Sequence, residues 1–254
     1  MRVSGLLLPL ILLVGCAQPA KEKSEPPKGP AAKIEYVSLT GSAGQRITVK
    51  AWVLGDGESF RSTGDPPAYY HIIGPEPKAD WGVLGDAETT CAALVKSLEQ
   101  GEATGPAGSD LVSKFNTASQ AAGTFNAMLK QLENEPTVLA WAVFPRPPVG
   151  TRYGLDTDPG IPYLNNPSRK DLLVEAKRVH DRINRLLDSA ELEITGTAKS
   201  VEQFIKDYGE GGESVKSEIQ KKQVIVQVDN FKVLRTGRDL AELAKLTKNA
   251  GEVK

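Results

Sequence analysis

The segment that decides the fold class is SRKDLLVEAKRVHDRINRLLDSAELEIT, residues 168–195. It opens with Ser168 and carries Asp171 three residues later, a spacing typical of a helix N-terminus. Apolar residues then recur at alternating steps of four and three, which predicts an amphipathic helix. Its apolar positions are Leu172, Ala176, Val179, Ile183, Leu186 and Ala190. The alternating residues 192–195 that follow indicate a strand, so helix and strand adjoin directly.

The rest of the chain repeats this alternation of helices and strands. A second long helix is predicted between Ser109 and Pro136, with apolar positions at Leu111, Phe115, Ala118, Ala122, Phe125, Leu129 and Leu132. Further helices are predicted over residues 87–100, 201–208 and 238–249. The two long apolar stripes are expected to pack on each other or on a sheet. A coiled-coil dimer is the alternative, although each stripe covers only about three heptads.

Strands are predicted on both sides of these helices. Residues 34–39 and 47–54 are expected to form a β-hairpin through residues 41–44, because apolar and polar residues alternate along 47–54. Other strands are expected over residues 137–144 and 224–228. The predicted class is therefore α+β, with α/β as the alternative: an N-terminal β-hairpin region followed by amphipathic helices interleaved with short strands.

Composition excludes several classes of protein. Of 254 residues, 40% are hydrophobic and 25% charged, as in an ordinary globular protein. The 31 Lys and Arg residues nearly balance 32 Asp and Glu residues, so no basic field favours nucleic acid as a partner. Two Cys and two His residues leave little for a disulfide framework or a transition-metal site. We therefore expect neither a metal nor a cofactor.

The N-terminus reads as a targeting signal. Residues 6–14 are almost entirely Leu and Ile apart from Pro9, a run too short to span a membrane. The run ends in Leu13-Val14-Gly15-Cys16, which resembles the lipobox of bacterial lipoprotein signal peptides. The resemblance covers residues 1–16 only. An ordinary secretory signal cut near Ala17 or Ala20 is the alternative.

The resemblance to lipoproteins implies a lipid anchor. In that family the Cys thiol receives a diacylglycerol, the signal peptide is removed before the Cys, and the new amine is acylated, commonly with palmitate. Residues 1–15 would then be the signal peptide and Cys16 the lipid attachment site. Ala17 follows Cys16 where an Asp would imply inner-membrane retention, so the expected location is the outer membrane, facing the periplasm of a bacterial cell envelope.

The mature chain is expected to have a tether and one body. Residues 17–33 contain four Pro and six charged residues and nothing apolar larger than Ala, a composition typical of a flexible tether. With the lipidated Cys16 they form the segment 16–33. Residues 34–254 are predicted to be a single α+β body, with a candidate β-rich subregion at 34–85.

Catalytic signatures are scarce in this body. Gly-x-Ser-x-Gly and Ser-x-x-Lys are absent. Cys91 lies on an apolar helix face and is expected in the core, and His180 is expected at the boundary of its helix. The favoured interpretation is a non-enzymatic lipoprotein that binds an envelope protein or polymer, or acts in envelope structure or assembly. The alternative is a lipid-anchored hydrolase of envelope polymers.

Two long loops are the candidate binding region. Residues 55–80 and 145–167 are rich in Gly and Pro, and connections of this length are usually functional or disordered. Their predicted contact residues are Tyr69, Tyr70, His71, Arg152 and Tyr153. The alternative is that the Pro residues only stiffen surface crossings, and that Tyr69–His71 belongs to an edge strand. Trp52 and Trp81 are candidates for stacking on sugars, whereas Trp141 is expected in the core.

Overall fold

A computed structural model of the chain describes residues 29–54, 59–61, 67–101, 105–133, 140–148, 164–208 and 224–252. Seven strands are present in this part of the chain: β1 (Ala32–Ile34), β2 (Arg46–Val53), β3 (Ser59–Arg61), β4 (Tyr69–Gly74), β5 (Ala140–Phe144), β6 (Ala190–Ser200) and β7 (Val224–Thr236). A 3₁₀ helix (Tyr36–Ser42) follows β1, and the α-helices are α1 (Trp81–Gln100), α2 (Ser109–Glu133), α3 (Arg169–Leu187), α4 (Val201–Tyr208) and α5 (Gly237–Glu252). The fold is α+β, as the sequence predicts.

The strands form one sheet that closes on itself. Their order is β1-β2-β6-β7-β5-β4-β3, and β2 also pairs with β4 through Trp52–Gly74 and Val53–Ile73. Strands β2, β6, β7, β5 and β4 therefore form a closed five-stranded ring. Within it β5 and β7 run parallel, and the other neighbours are antiparallel. Strands of the predicted β-rich subregion thus share one sheet with strands from the C-terminal third.

Alternation along the strands fills the interior of this ring. In β2 the residues predicted to face inward, Ile47, Val49, Ala51 and Val53, are all buried in one cluster. The remaining members of that cluster are mostly small or β-branched, which suits a narrow ring. They include Ala140, Ala142, Ala190, Ile194, Ala198, Val224 and Val226. Leu39 of the 3₁₀ helix joins the same cluster, so that helix covers one end of the barrel.

The predicted N-terminal hairpin is wrong. Strand β1 runs parallel to β2, and most of the second half of the expected strand is the 3₁₀ helix. Two contacts hold this segment at the barrel end: Leu39 is buried in the interior, and the Tyr36 hydroxyl donates a hydrogen bond of 2.7 Å to the Ile73 carbonyl. A parallel pair cannot be closed by a tight turn, and the 3₁₀ helix supplies the crossover.

Helices α1, α2, α3 and α5 form a layer at one end of β2. Their apolar faces share a core with Trp52 and Leu54. The predicted mutual packing of the α2 and α3 stripes is therefore confirmed. The predicted cap of α3 is also confirmed, because the Asp171 amide donates to Ser168 Oγ at 3.1 Å. Ala190, expected on the α3 stripe, is instead the first residue of β6, since the helix ends at Leu187.

Helix α1 begins six residues before its predicted start. Asp80 caps it by accepting a hydrogen bond from the Val83 amide at 3.0 Å. Gly82 and Gly85 in the first turns weaken the helical signal in the sequence. Packing explains the second glycine: a Cβ at Gly85 would lie 2.9 Å from the Ala241 Cβ, so the glycine lets α5 approach closely.

Helix α4 covers a different face of the barrel. Phe204 packs with Tyr70, Ile72 and Trp141 on the outer side of β4 and β5. Within the described residues, no helix combines the length and hydropathy needed to cross a bilayer.

Candidate functional site

Two cavities flank helix α2 and form the candidate site. The first, which we call the apolar cleft, lies between α1 and α2 and has a volume of about 450 Å³. Its walls are largely apolar and include Val83, Leu84, Ala87, Ala121, Phe125 and Met128. Trp81 holds Phe125 in the wall of the cleft, because the centroids of the two rings lie 5.2 Å apart. Trp81 in turn stacks on Trp52, with their ring centroids 5.5 Å apart.

Three charged residues, Lys78, Asp80 and Asp86, also line the apolar cleft. Asp80 is engaged as the cap of α1, and Asp86 forms an ion pair with Lys248 at 3.7 Å. Val83 at this cavity is 50% exposed, although its helix packs on α2, α3 and α5. The cleft therefore combines an apolar wall with few charged groups.

The second cavity, the polar groove, lies on the other side of α2. It has a volume of about 1080 Å³ and is bounded by residues 164–166 opposite the helix. Every described residue that lines it is uncharged, and most carry a hydroxyl or an amide. Examples are Ser113, Asn116, Thr117, Gln120, Asn165 and Asn166.

Thr117, Gln120 and Thr124 line both cavities and form a ridge between them. The Thr117 hydroxyl donates to the Ser113 carbonyl and the Thr124 hydroxyl to the Gln120 carbonyl, each at 3.0 Å. Because each hydroxyl donates its single proton to a carbonyl of the helix, its oxygen can act only as a hydrogen-bond acceptor toward the cavities.

The sequence of α2 builds both surfaces. Phe115, Ala118, Ala122 and Phe125 are buried and fix the helix on the core. The helix contains FNTASQAAGTFNAML, residues 115–129, without one charged side chain. An uncharged run of this length in a chain that is 25% charged is the sequence signal of this site, and it matches no catalytic motif.

Strand β4 contains three of the predicted contact residues, and two of them are inaccessible. Tyr70 and His71 are 0% and 1% exposed, because Tyr70 packs under α4 on the outer side of the barrel and the His71 ring lies against Phe144 in its interior. These side chains therefore do not lie on a surface loop, and the alternative of a strand is confirmed, although β4 is not an edge strand because β5 and β3 pair with its two sides. Tyr69 is partly buried at the barrel end, with the Arg61 guanidinium 5.6 Å from its ring centroid.

His71 points into the barrel interior. Its ring lies 5.9 Å from that of Phe144 in an edge-to-face arrangement. Burial disfavours the charged imidazolium and lowers the pKa of His71 to about 3. The alternation of the strand sends Tyr70 to the opposite side, where its ring meets Phe204 at 6.4 Å. The predicted Tyr-Tyr-His contact surface is thus divided between two cores.

The other predicted residues have different outcomes. Cys16, Arg152 and Tyr153 lie outside the described residues, and their roles stay predictions. Trp52 and Trp81 are buried and stack on each other, so they offer no surface to a sugar.

The predictions for the remaining core and boundary residues are confirmed. Trp141 is 1% exposed and Cys91 is fully buried, with its thiol donating to the Ala176 carbonyl at 3.3 Å. Burial, and secondarily the Glu88 carboxylate, raise the pKa of Cys91 to about 12, which leaves it an unreactive thiol at neutral pH. His180 lies at the boundary of α3, with Nε2 3.2 Å from Glu88 Oε1.

In the part of the chain that the structure covers, no three His, Cys, Asp or Glu side chains converge as metal ligands would. Compared with known protein families, curated proteins and solved structures, the chain matches none. The candidate site therefore rests on the geometry of the two cavities.

Proposed function

We propose that this protein is a lipid-anchored component of the bacterial envelope that acts there as a binding, structural or assembly factor. The observation that carries the proposal is the sequence Leu13-Val14-Gly15-Cys16 between an apolar run and a Pro-rich, charged segment. Each buried methylene of an acyl chain contributes about 0.8 kcal/mol to membrane binding, so two or three chains on Cys16 would hold the body at the bilayer.

The position of the tether supports a presenting role for the helical layer. The chain enters the fold at β1, beside Ile47, where the Arg46 guanidinium donates to the Gly29 carbonyl at 3.0 Å. Trp52 and Leu54, which contact the helices, lie at the other end of β2. An anchor at Cys16 would therefore attach to the end of the barrel away from the two cavities. The twelve residues 17–28 that separate Cys16 from Gly29 would reach about 40 Å if fully extended.

The composition of the cavities supports binding over catalysis. General acid–base chemistry needs titratable groups within hydrogen-bond reach of the substrate. The polar groove is lined by uncharged described residues, and the charged groups of the apolar cleft include a helix cap and an ion-pair partner. His71 and Cys91, whose pKa values burial shifts strongly, line neither cavity.

Replacing the lipobox cysteine tests the proposal. In Cys16→Ser the thiol that accepts the diacylglycerol is lost, so the protein should accumulate as an unprocessed precursor without acyl mass. The native protein should carry acyl mass, partition into detergent and sediment with the outer membrane. Mass spectrometry of the purified N-terminus and membrane fractionation measure these properties.

Cys91→Ser is the matched control. Because Cys91 is buried in the core, its replacement should leave lipidation and location unchanged. A native mature form that begins at Gln18 or Lys21 and carries no lipid would contradict the proposal.

A further inference from the structure

We propose that the apolar cleft and the polar groove together bind one extended, uncharged peptide segment of a partner protein. A bulky apolar side chain of that segment would occupy the cleft, and its backbone would cross the Thr117–Gln120–Thr124 ridge into the groove. The inference rests on the proposed role as a binding factor and specifies the partner of that site.

The apolar cleft calls for an apolar group. Its volume of about 450 Å³ lies within the range of cavities that take small ligands, and aliphatic and aromatic side chains dominate its walls. Phe125 is held by Trp81 and cannot collapse into the space without giving up that contact. A large aliphatic or aromatic side chain would bury apolar surface here at about 25 cal/mol per Å².

The polar groove calls for hydrogen-bond donors. Thr117 and Thr124 present acceptor oxygens, because their protons are used within α2. The Asn116 Oδ1 atom is buried at the groove wall and has no hydrogen-bond partner among the described residues. A bound N–H group could satisfy it after rotation of the amide, and a buried acceptor without a donor is costly. Backbone amides are the donors that an extended peptide supplies in a row.

The absence of charged side chains among the described residues of the groove narrows the range of segments that could bind there. The lining of the groove provides no counter-charge among its described residues, so a charged segment would lose hydration without compensation. An acyl chain would match the cleft but not the hydroxyl and amide groups of the groove. A neutral glycan would match the groove but not the apolar cleft. An uncharged peptide with one bulky apolar side chain matches both.

The width of α2 sets the length of the segment that crosses it. An α-helix with its side chains is about 10 Å across. An extended chain covers this distance in about three residues. The recognised motif should therefore be short, with the apolar side chain close to a run of small or amide-bearing residues.

Selection from a random heptapeptide library on the full-length purified protein, followed by titration of the enriched synthetic peptides, tests the proposal. Thr90→Trp fills the cleft, and Thr89→Trp on the exposed neighbouring position is its matched control. Gly123→Lys introduces a charge into the groove at a position where a Cβ meets nothing within 4 Å. Gln131→Lys, exposed on the same helix, is the control for the added charge.

We expect neutral peptides with one bulky apolar residue to be enriched. Their Kd should rise at least tenfold in Thr90→Trp and in Gly123→Lys and stay within twofold in the two controls, with similar melting temperatures for all four variants. Failure to enrich any peptide, or equal binding by all variants, would overturn the proposal. So would binding of laurate or of a neutral N-acetylglucosamine trimer at the same positions without peptide binding. None of these results depends on lipidation, which the Cys16→Ser experiment decides separately.

Discussion

The barrel interior and the helical layer are both packed cores, but different contacts hold their elements together. In the barrel, five strands are joined around the ring by main-chain hydrogen bonds, and small side chains such as Ala142 and Ala198 are fully buried. In the helical layer no backbone ladder joins the described elements, which meet largely through side chains. Helices α1 and α5 touch at Gly85 and Ala241, whereas α1 and α2 leave the apolar cleft between them.

This difference explains why the barrel acts as a scaffold and the helical layer contains the candidate site. A ladder of hydrogen bonds fixes the spacing of neighbouring strands, so the interior is set by side-chain size. The distance between helices varies with the residues at each contact, which lets a helical layer keep open space beside a packed core. The barrel buries the titratable His71, and the helical layer exposes the hydroxyls and amides of α2. Binding is therefore expected on the helices.

The largest expected effect comes from removing a phenylalanine from each region. Phe144→Ala should lower the free energy of unfolding by about 3–5 kcal/mol, because Phe144 is fully buried between His71 and Phe231 and the barrel cannot collapse around the cavity. Phe125→Ala should cost less, below about 3 kcal/mol, because its space joins the existing cleft. Urea unfolding of the two variants measures both. Equal costs would show that the two regions do not differ in this way.

A smaller effect distinguishes the regions by pH. Unfolded His71 takes up a proton near pH 6.5, but the folded side chain does so only near pH 3. Between these values the unfolded state binds more protons, so the free energy of unfolding decreases as the pH falls below about 6.5. The contribution should reach up to about 2 kcal/mol at pH 5.

Urea unfolding between pH 7 and pH 5 measures this dependence. His71→Gln should remove it, since the amide does not titrate, and His180→Gln on the helical layer should retain it. A pH dependence that survives in His71→Gln and disappears in His180→Gln would contradict the assignment of this effect to the barrel.

Local periodicity explains why much of the helical layer was predictable. The four-three steps of α2 and α3 and the Ser168 cap are properties of neighbouring residues, so they can be read from the sequence. The inward alternation of β2 was predictable for the same reason. Gly82 and Gly85 concealed the start of α1, because their role is a contact with α5, more than 150 residues away in the chain.

The barrel and the site depend on contacts between distant segments. Nothing local in Tyr69–Gly74 shows that β3 and β5 will pair with its two edges, or that Phe204 and Phe144 will cover Tyr70 and His71. The parallel pairing of β1 is likewise accompanied by a contact distant in sequence, the hydrogen bond from Tyr36 to the Ile73 carbonyl. The candidate site is hard to predict because its central element is the uncharged face of α2, whereas charged and aromatic residues in loops are the usual sequence signals of binding.

The contrast between a closed barrel and an accessible cleft can be measured directly with thiol labelling. Thr90→Cys places a thiol in the apolar cleft, Ala142→Cys places one in the barrel interior, and native Cys91 is the buried internal reference. Mass spectrometry assigns the label to each position. We predict rapid labelling at position 90 in the folded protein, and labelling at positions 142 and 91 only on unfolding. Protection of position 90 equal to that of position 142 would contradict the account.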